Sequence, residues 1–480
     1  MRLNPHILEI DARAWFKKIQ RENPDVVTLD DVPDSYIAEI KKWDFDALWL
    51  MGVWQAGAVS GEIARENAGI NESISRAVPN YSKEDIIGSP FAILDYAAAD
   101  LFGGNEALLK FKKRLNDFGI ILILDFVGNH LATEHPLTLS DPDIFVHPKT
   151  EPNDKDIFFQ TKNGDWLAHG KDPHTPAWMD TVQLNLFNPR ARDLIIQQIL
   201  EVMDLCDGVR CDVTMVMLSK IFKETWNGYI EEVPPEKELW SEVIDRAREK
   251  NPFFVFIAEI YWGLEWEAQE LGFDYTYDKI IYDRLLESTP GDVRGHLRAE
   301  HLYQIRSVRF VANHDEESPI IAFGPERSKA AATVVATLLG ARLFTLDQLY
   351  GKKYHLPVQY VSADSGIDQE FLDFYNQLLA TIDHPCFHDG QWELHETTAE
   401  NVFAWSWTLP TTRKIVLVNY ADQPTSFNLS VDKLPNTDAV TIHEEFTRSD
   451  FEVTIAQIKN EGLNFEMSPY EIKVLSIDSL

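Results

Sequence analysis

The chain has 480 residues, 45% of them hydrophobic and 11% aromatic, so it is long enough for a large domain with an accessory domain. Its net charge of −33 argues against nucleic acid and anionic membranes as partners, since both would repel such a surface, and fits a neutral substrate. The three cysteines, Cys206, Cys211 and Cys386, form no paired motif, which is typical of a reducing compartment.

The N-terminal stretch MRLNPHILEIDARAWF contains no long apolar segment. Nothing along the chain approaches the roughly 18 uninterrupted apolar residues that a membrane span needs. We therefore expect neither a signal peptide nor a membrane-spanning segment, and we expect a cytoplasmic location.

Short apolar runs alternate with amphipathic stretches over most of the chain. The predicted strands, in chain order, are 6–10, 46–53, 120–127, 208–213, 252–260, 271–277, 307–313 and 341–346, and the clearest predicted helices are 34–43, 105–119, 190–205 and 234–250. Eight strands alternating with helices favour an α/β fold of the (β/α)8 TIM-barrel type over an open doubly wound sheet. No glycine-rich nucleotide-binding fingerprint follows an early strand, which argues against a dinucleotide enzyme.

Three regions depart from this alternation. A long loop is expected at about 55–87, after the second strand, and a short insert at 131–182 follows the third. The aromatic residues of the insert favour a small ordered domain over a disordered loop. From residue 389 onward the pattern has a period of two, which predicts a C-terminal all-β sandwich. The predicted organisation is thus a barrel at 1–130 and 183–388, an inserted domain at 131–182 and a sandwich at 389–480.

Polar and acidic residues follow four of the predicted barrel strands. They are Asp125, Asn129 and His130 after the third, Arg210 and Asp212 after the fourth, Glu259 after the fifth, and Asn313, His314 and Asp315 after the seventh. The carboxyl ends of barrel strands meet at one face, where active sites of this fold lie. We therefore expect these side chains to converge.

The residue types favour glycoside hydrolysis, which uses one ionised and one protonated carboxyl group on either side of the scissile bond. Arg210, two residues before Asp212, would keep that aspartate ionised. Glu259 ends an apolar strand, where desolvation raises the pKa of a carboxyl group. A metal-dependent barrel hydrolase would need more histidines at strand ends than His130 and His314. A structural ion pair remains the alternative for Arg210 and Asp212.

Four motifs in this order resemble the α-amylase superfamily, glycoside hydrolase family 13. They are DFVGNH at Asp125–His130, GVRCD at 208–212, the glutamate Glu259 and NHD at 313–315, with the weaker VQLN at 182–185 before the fourth strand. The resemblance covers the barrel, the insert and the C-terminal domain. A non-catalytic barrel of the same superfamily would be expected to lack one of the three carboxylates.

The resemblance implies a role for each motif residue. Asp212 corresponds to the nucleophile, Glu259 to the general acid/base and Asp315 to the stabiliser of the transition state. Arg210 corresponds to the residue that orients the nucleophile, and the other expected substrate-binding residues are His130, His314, Asn313, Asp95, Phe91 and Lys171. Phe91 stands where many members have a stacking tyrosine. No cofactor is required, although in some members the asparagine equivalent to Asn129 ligates calcium.

The expected activity is that of a retaining α-glycosidase on α-glucans or maltooligosaccharides. The alternatives are a transglycosylase, an isomerase or a maltosyltransferase acting on short α-glucosides of the sucrose, trehalose or maltose type. Many starch-degrading members place Lys-His shortly after the nucleophile, whereas this chain reads Val213, Thr214, Met215, Val216. Together with the long loop at 55–87 and the insert, this favours short substrates. The sequence leaves the oligomeric state open.

Overall fold

The computed structural model describes residues 1–361 and 366–478, and its centre is a closed barrel of eight parallel strands. The strands are β1 (His6–Asp11), β2 (Ala47–Met51), β3 (Ile121–Phe126), β4 (Gly208–Cys211), β5 (Val255–Ala258), β6 (Tyr275–Tyr277), β7 (Ser307–Arg309) and β8 (Ala341–Thr345). Each strand pairs with its neighbours in chain order, and β8 pairs with β1 to close the barrel. The predicted TIM barrel is confirmed, with all eight strands at their expected positions.

Helices surround the barrel because their apolar faces pack on the outer side of the strands. The first, Ala12–Glu22, begins where the Asp11 carboxylate accepts the backbone N–H groups of Arg13 and Ala14, and it buries Trp15. The other helices outside the insert and the C-terminal domain are Asp34–Lys42, Ala58–Glu66, Ala68–Ala77, Gly104–Asp117, Pro189–Val202, Ser219–Thr225, Leu239–Lys250, Glu265–Glu270, Lys279–Glu287, Pro290–His296, His301–Ile305, Pro319–Phe323, Pro325–Thr337, Leu346–Leu349, Gln369–Ile382 and Cys386–Asp389. Within the described ranges, none of the helices is both long and apolar enough to cross a membrane.

The segment after β2, which the sequence predicts as a long loop at 55–87, is largely helical. It contains the helices Ala58–Glu66 and Ala68–Ala77, and Asn67 caps the second by accepting the N–H of Ile70. The returning chain passes so close to the first helix that a Cβ on Gly88, at φ +98°, would lie 2.5 Å from the backbone nitrogen of Gly61. The loop prediction is therefore wrong, because packing of this kind cannot be read from the local sequence.

The insert after β3 is ordered. The short strand His130–Ala132 pairs antiparallel with Thr181–Gln183, and Phe158–Gln160 pairs with Trp166–Ala168. A short helix lies at Leu137–Ser140. Phe145 and Phe158 are buried in the core shared with the barrel, as expected for aromatic residues of a folded insert.

The C-terminal domain consists of two antiparallel sheets. Its strands are β9 (Gln391–His395), β10 (Val402–Leu409), β11 (Thr412–Asn419), β12 (Thr425–Leu429), β13 (Ala439–Glu444), β14 (Ser449–Thr454), β15 (Leu463–Met467) and β16 (Ile472–Asp478), with one helix at Ile455–Glu461. Strands β12 and β15 form the smaller sheet, and the others form a six-stranded sheet.

Alternation along β10 explains how this domain attaches to the barrel. Val402 and Ala404 face the small sheet, whereas Phe403, Trp405 and Trp407 belong to the barrel's own core. The Trp407 indole also donates a hydrogen bond to the carbonyl of Thr337. The C-terminal antiparallel domain is thus present as expected, although residues 479–480 of the predicted sandwich lie outside the described residues.

Candidate active site

Arg210 lies at the centre of the cluster on the carboxyl-terminal face of the barrel. It is 1% exposed, and one guanidinium nitrogen, Nη1, lies 2.6 Å from Asp212 Oδ1 while the other, Nη2, lies 2.7 Å from Glu259 Oε2. The guanidinium carbon also lies 5.4 Å from the ring centres of both Trp49 and Phe91. Arg210 therefore holds two carboxylates from neighbouring strands beside each other.

The two carboxyl groups share a cause that raises their pKa. Asp212 and Glu259 are 6% and 5% exposed, and burial favours their neutral forms. Burial raises the pKa of Glu259 to about 7, with Arg210 acting in the opposite direction and Asp212 and Asp315 adding to the rise. Burial also raises the pKa of Asp212, and Arg210 opposes that rise by charge and by hydrogen bonding. Glu259 is thus the group suited to hold a proton near neutral pH.

The chain after β4 completes the environment of Glu259. Val213 has a left-handed backbone conformation, at φ +37°, and its N–H lies 2.6 Å from Glu259 Oε2. The other carboxylate oxygen, Oε1, lies 2.9 Å from the Tyr261 hydroxyl. A non-glycine residue at positive φ is strained, and here the strain places a donor on the acid.

His314 lies between two carboxylates. Its Nδ1 is 2.7 Å from Glu9 Oε1 of β1, and its Nε2 is 3.2 Å from Asp315 Oδ2. Burial alone would lower the pKa of His314, but the negative charges of Asp315 and Glu9 outweigh burial and raise this pKa to about 9. His314 is therefore an imidazolium at neutral pH and donates from both nitrogens. Asn313 supports this turn by accepting the N–H of Asp315 at 2.9 Å.

Asp125 forms the floor of the cluster. Its carboxylate accepts the Trp49 indole N–H at 3.1 Å and the Gly52 N–H at 3.0 Å. Gly52 has φ +79°, and a Cβ there would lie 2.9 Å from Pro90 Cβ, so glycine is required where β2 turns over the site. Burial raises the pKa of Asp125 to about 6. Its contacts are with barrel residues, which fits the supporting role that the family resemblance implies.

Phe91 and His130 form one wall of the site. The Phe91 ring lies 5.3 Å from that of His314, with an angle of 31° between the two ring planes. His130 is buried against Trp178 of the insert, with ring centres 5.1 Å apart. Burial lowers the pKa of His130 to about 4, so this imidazole is neutral. The insert therefore packs directly on a residue of the barrel face.

Two predicted substrate-binding residues lie outside this cluster. Asp95 is solvent-exposed on the strand Ile93–Ala98, whereas its neighbour Tyr96 points to the opposite side and is buried. The Tyr96 hydroxyl donates to the carbonyl of Val127 and accepts its N–H. Lys171 is half-buried in the loop of the insert that follows Trp166–Ala168. The structure thus brings neither Asp95 nor Lys171 into contact with the carboxylates.

The side chain of Asn129, the possible calcium ligand of the sequence prediction, pairs with Gln183. Its side-chain oxygen accepts a hydrogen bond from Gln183 Nε2 at 2.9 Å, and its amide donates to Gln183 Oε1. Gln183 is the glutamine of the VQLN motif, so the two motifs hold each other at the base of the insert. This pairing joins the segment after β3 to the base of the insert.

Glu9 and Tyr261 were missed by the sequence interpretation. Glu9 is 3% exposed in the middle of β1, and its partner His314 is 305 residues away in the chain. The isolated glutamate in HILEID was the available signal, because a charge inside a buried strand needs a partner. Tyr261 follows Glu259 by two residues, the spacing that returns a side chain to the same face of an extended chain.

No protein-family model matches the chain, but one curated protein has a similar sequence. The α-amylase MalA of Haloarcula japonica is 22% identical over 347 residues, which cover 69% of this chain and 47% of that protein. The chain thus spans about half the length of this curated relative.

Solved structures resemble the whole chain at low identity. The maltogenic α-amylase AmyB of Thermotoga neapolitana superposes with a TM-score of 0.71 at 19% identity, covering 99% of both chains. An α-amylase from Lactobacillus plantarum gives 0.69 at 17% identity over 98% of both chains. The trehalose-6-phosphate hydrolase of Bacillus licheniformis gives 0.70 at 13% identity over 99% of both chains. The chain therefore has an α-amylase homologue and the fold of the α-amylase family, which confirms the resemblance that its ordered motifs predict.

Proposed function

We propose that this protein is a retaining enzyme that cleaves α-glucosidic bonds through a covalent glycosyl-enzyme intermediate. The observation that carries the proposal is the contact of one buried guanidinium, that of Arg210, with both Asp212 and Glu259. Retaining enzymes have their two carboxyl groups only about 5–5.5 Å apart, and the shared contact with one guanidinium supports such a short separation. The similar proteins include α-amylases and a trehalose-6-phosphate hydrolase, which supports α-glucosides as substrates.

In the first step, Asp212 attacks the anomeric carbon while Glu259 gives its proton to the departing glycosidic oxygen. In the second, Glu259 takes a proton from water or from a sugar hydroxyl, which attacks the same carbon and releases Asp212. Asp315 would face the positive charge that develops on the sugar. Its side chain is 49% exposed, as expected at the open side of a pocket that receives substrate.

The walls of the site favour short substrates. Trp178 of the insert packs on His130, and His174 contacts Trp262 after β5 with ring centres 4.8 Å apart. The contact of His174 with Trp262 joins the insert to the loop that follows the acid/base, and this supports a narrow cleft on that side. We infer that di- to tetrasaccharides are better substrates than starch. A transglycosylase would use the same intermediate, with a sugar in place of water.

The test is to incubate the protein with maltooligosaccharides, sucrose, trehalose and isomaltose and to follow the products by NMR. An α-configured product formed first establishes retention, and new oligosaccharides identify transfer. Asp212→Asn and Glu259→Gln should abolish the reaction. Asp46→Asn is the matched control, because Asp46 is a largely buried carboxylate that pairs with Arg2 next to β2, away from this cluster. A β-configured first product would refute the proposal.

We also propose a cytoplasmic location and a neutral carbohydrate as the sole ligand class, without nucleic acid. The three cysteines are free and buried, which supports a reducing compartment. The net charge of −33 supports the exclusion of nucleic acid.

A further inference from the structure

The two oxygens of the Glu259 carboxyl group have different partners. Oε2 lies 2.7 Å from Arg210 Nη2 and 2.6 Å from the backbone nitrogen of Val213. Oε1 lies 2.9 Å from the Tyr261 hydroxyl. Guanidinium and backbone N–H groups can only donate, whereas a tyrosine hydroxyl can donate or accept. A proton on Oε2 would therefore face two donors, and a proton on Oε1 would face an acceptor.

We propose that Tyr261 is a positioning residue that keeps the transferable proton of Glu259 on Oε1 and stabilises the carboxylate left after that proton departs. The inference rests on the proposed role of Glu259 as acid/base and goes beyond it, because it assigns the reacting oxygen and its partner. Without substrate, Tyr261 accepts from Oε1–H of the acid form; when substrate is bound that proton points to the glycosidic oxygen, and Tyr261 donates to Oε1. The hydroxyl rotates between the two without movement of the ring.

The proton balance follows from the two steps. When the glycosidic C–O bond breaks and Asp212 bonds to the anomeric carbon, the proton on Oε1 moves to the leaving oxygen and Glu259 becomes an anion. Tyr261 then donates to that anion, so its hydrogen bond strengthens as negative charge develops. When water attacks and the bond to Asp212 breaks, one proton of water moves to Oε1 and restores the acid. No other reactant is needed.

Several charged or titratable groups face Glu259 from the neighbouring strands. They are Arg210 and Asp212 of the β4 segment, Tyr277 of β6 and Asp315 after β7. The Tyr261→Phe variant keeps all of them and removes one hydroxyl group. The hydrogen bond to the ionised carboxylate is charge-assisted and stronger than the one to the neutral acid, so its loss destabilises the anion more and raises the pKa of Glu259. The variant therefore isolates the contribution of Tyr261.

The experiment compares the pH dependence of kcat/KM for the wild type, Tyr261→Phe and a matched control, Tyr375→Phe. The control removes another buried hydroxyl, which accepts a hydrogen bond from Gln348 of the helix Leu346–Leu349 and makes no hydrogen bond to Glu259. In Tyr261→Phe the basic limb should move up by about one pH unit. The kcat/KM for maltose should fall about tenfold, whereas that for an aryl glucoside with a good leaving group should change little, because such a group needs no proton. Tyr375→Phe should change neither the position of the basic limb nor the kcat/KM for maltose.

A second measurement tests the inference without using catalysis. Infrared difference spectroscopy can follow the protonated carboxyl band that Glu259→Gln removes, as a function of pH. Its midpoint should rise by about one unit in Tyr261→Phe. An unchanged midpoint in a variant with wild-type thermal stability would overturn the inference. If the midpoint rises but the protein cleaves no α-glucoside, the effect of Tyr261 on Glu259 is supported and the proposed function is refuted.

Discussion

Replacing Arg210 by alanine would leave two buried carboxyl groups facing each other without their shared cation. Because Arg210, Asp212 and Glu259 are 1%, 6% and 5% exposed, the cost is that of breaking a buried ion pair, about 3–5 kcal/mol of unfolding free energy at neutral pH. The pKa values of Asp212 and Glu259 should then rise further, since burial acts unopposed. A protonated Asp212 cannot attack, so turnover should fall by about 10²–10³-fold.

The loss of stability in Arg210→Ala should depend on pH. A carboxyl group whose pKa is higher in the folded than in the unfolded protein adds stability at low pH, and loses it as the pH rises through the folded value. Since the pKa of Glu259 is already about 7 in the wild type, the stability deficit of Arg210→Ala should be largest near pH 8 and smaller near pH 5. Urea denaturation at both pH values measures the deficit.

The matched control is Arg309→Ala. Arg309 is a fully buried arginine on β7 that lies 3.4 Å from Asp278, outside the cluster around Arg210. The Arg309→Ala variant should be less stable than the wild type, but its folded fraction should keep the wild-type turnover number. A deficit of Arg210→Ala that is the same at pH 5 and pH 8, or a wild-type turnover number in that variant, would contradict the reasoning.

Three further predictions concern the same site. The basic limb of kcat/KM against pH should lie near the Glu259 value of about 7, because the acid must be protonated in the free enzyme, and a limb above pH 9 would point to another group. Glu9→Gln should lower the pKa of His314 below about 9, measured by NMR titration of the imidazole. An unchanged value would mean that Asp315 alone stabilises the imidazolium. Catalytic efficiency on maltose and maltotetraose should exceed that on soluble starch, and a preference for starch would contradict the narrow cleft.

The barrel could be predicted because each strand carries its own signal. Runs such as ALWLM in β2 and ILILDF in β3 are buried almost throughout, so the local sequence alone specifies a strand covered on both faces. The candidate carboxylates could be predicted because strand ends of a barrel share one face. Asp212 and Glu259 accordingly meet at Arg210.

What could not be predicted depends on contacts between distant segments. The helix Ala58–Glu66 lies where the sequence predicts a loop. It contains Gly61, and glycine weakens a helix, but a Cβ there would lie only 3.0 Å from the Ile87 carbonyl oxygen of the returning chain. The sequence predicts Asp95 at the site, but its side chain is exposed, and the buried neighbour is Tyr96, which bonds Val127 31 residues away. The role of Glu9 depends on its contact with His314, which lies 305 residues away in the chain.

The most direct test of the retaining mechanism is to trap its covalent intermediate. Glu259→Gln, incubated with a glucosyl fluoride, should form the glycosyl-enzyme without acid assistance and then accumulate it, because no base activates water. Mass spectrometry of the digested protein should find one added glucosyl unit on the peptide that contains Asp212. A label on another residue, or release of product with inverted configuration and no label at all, would contradict the account.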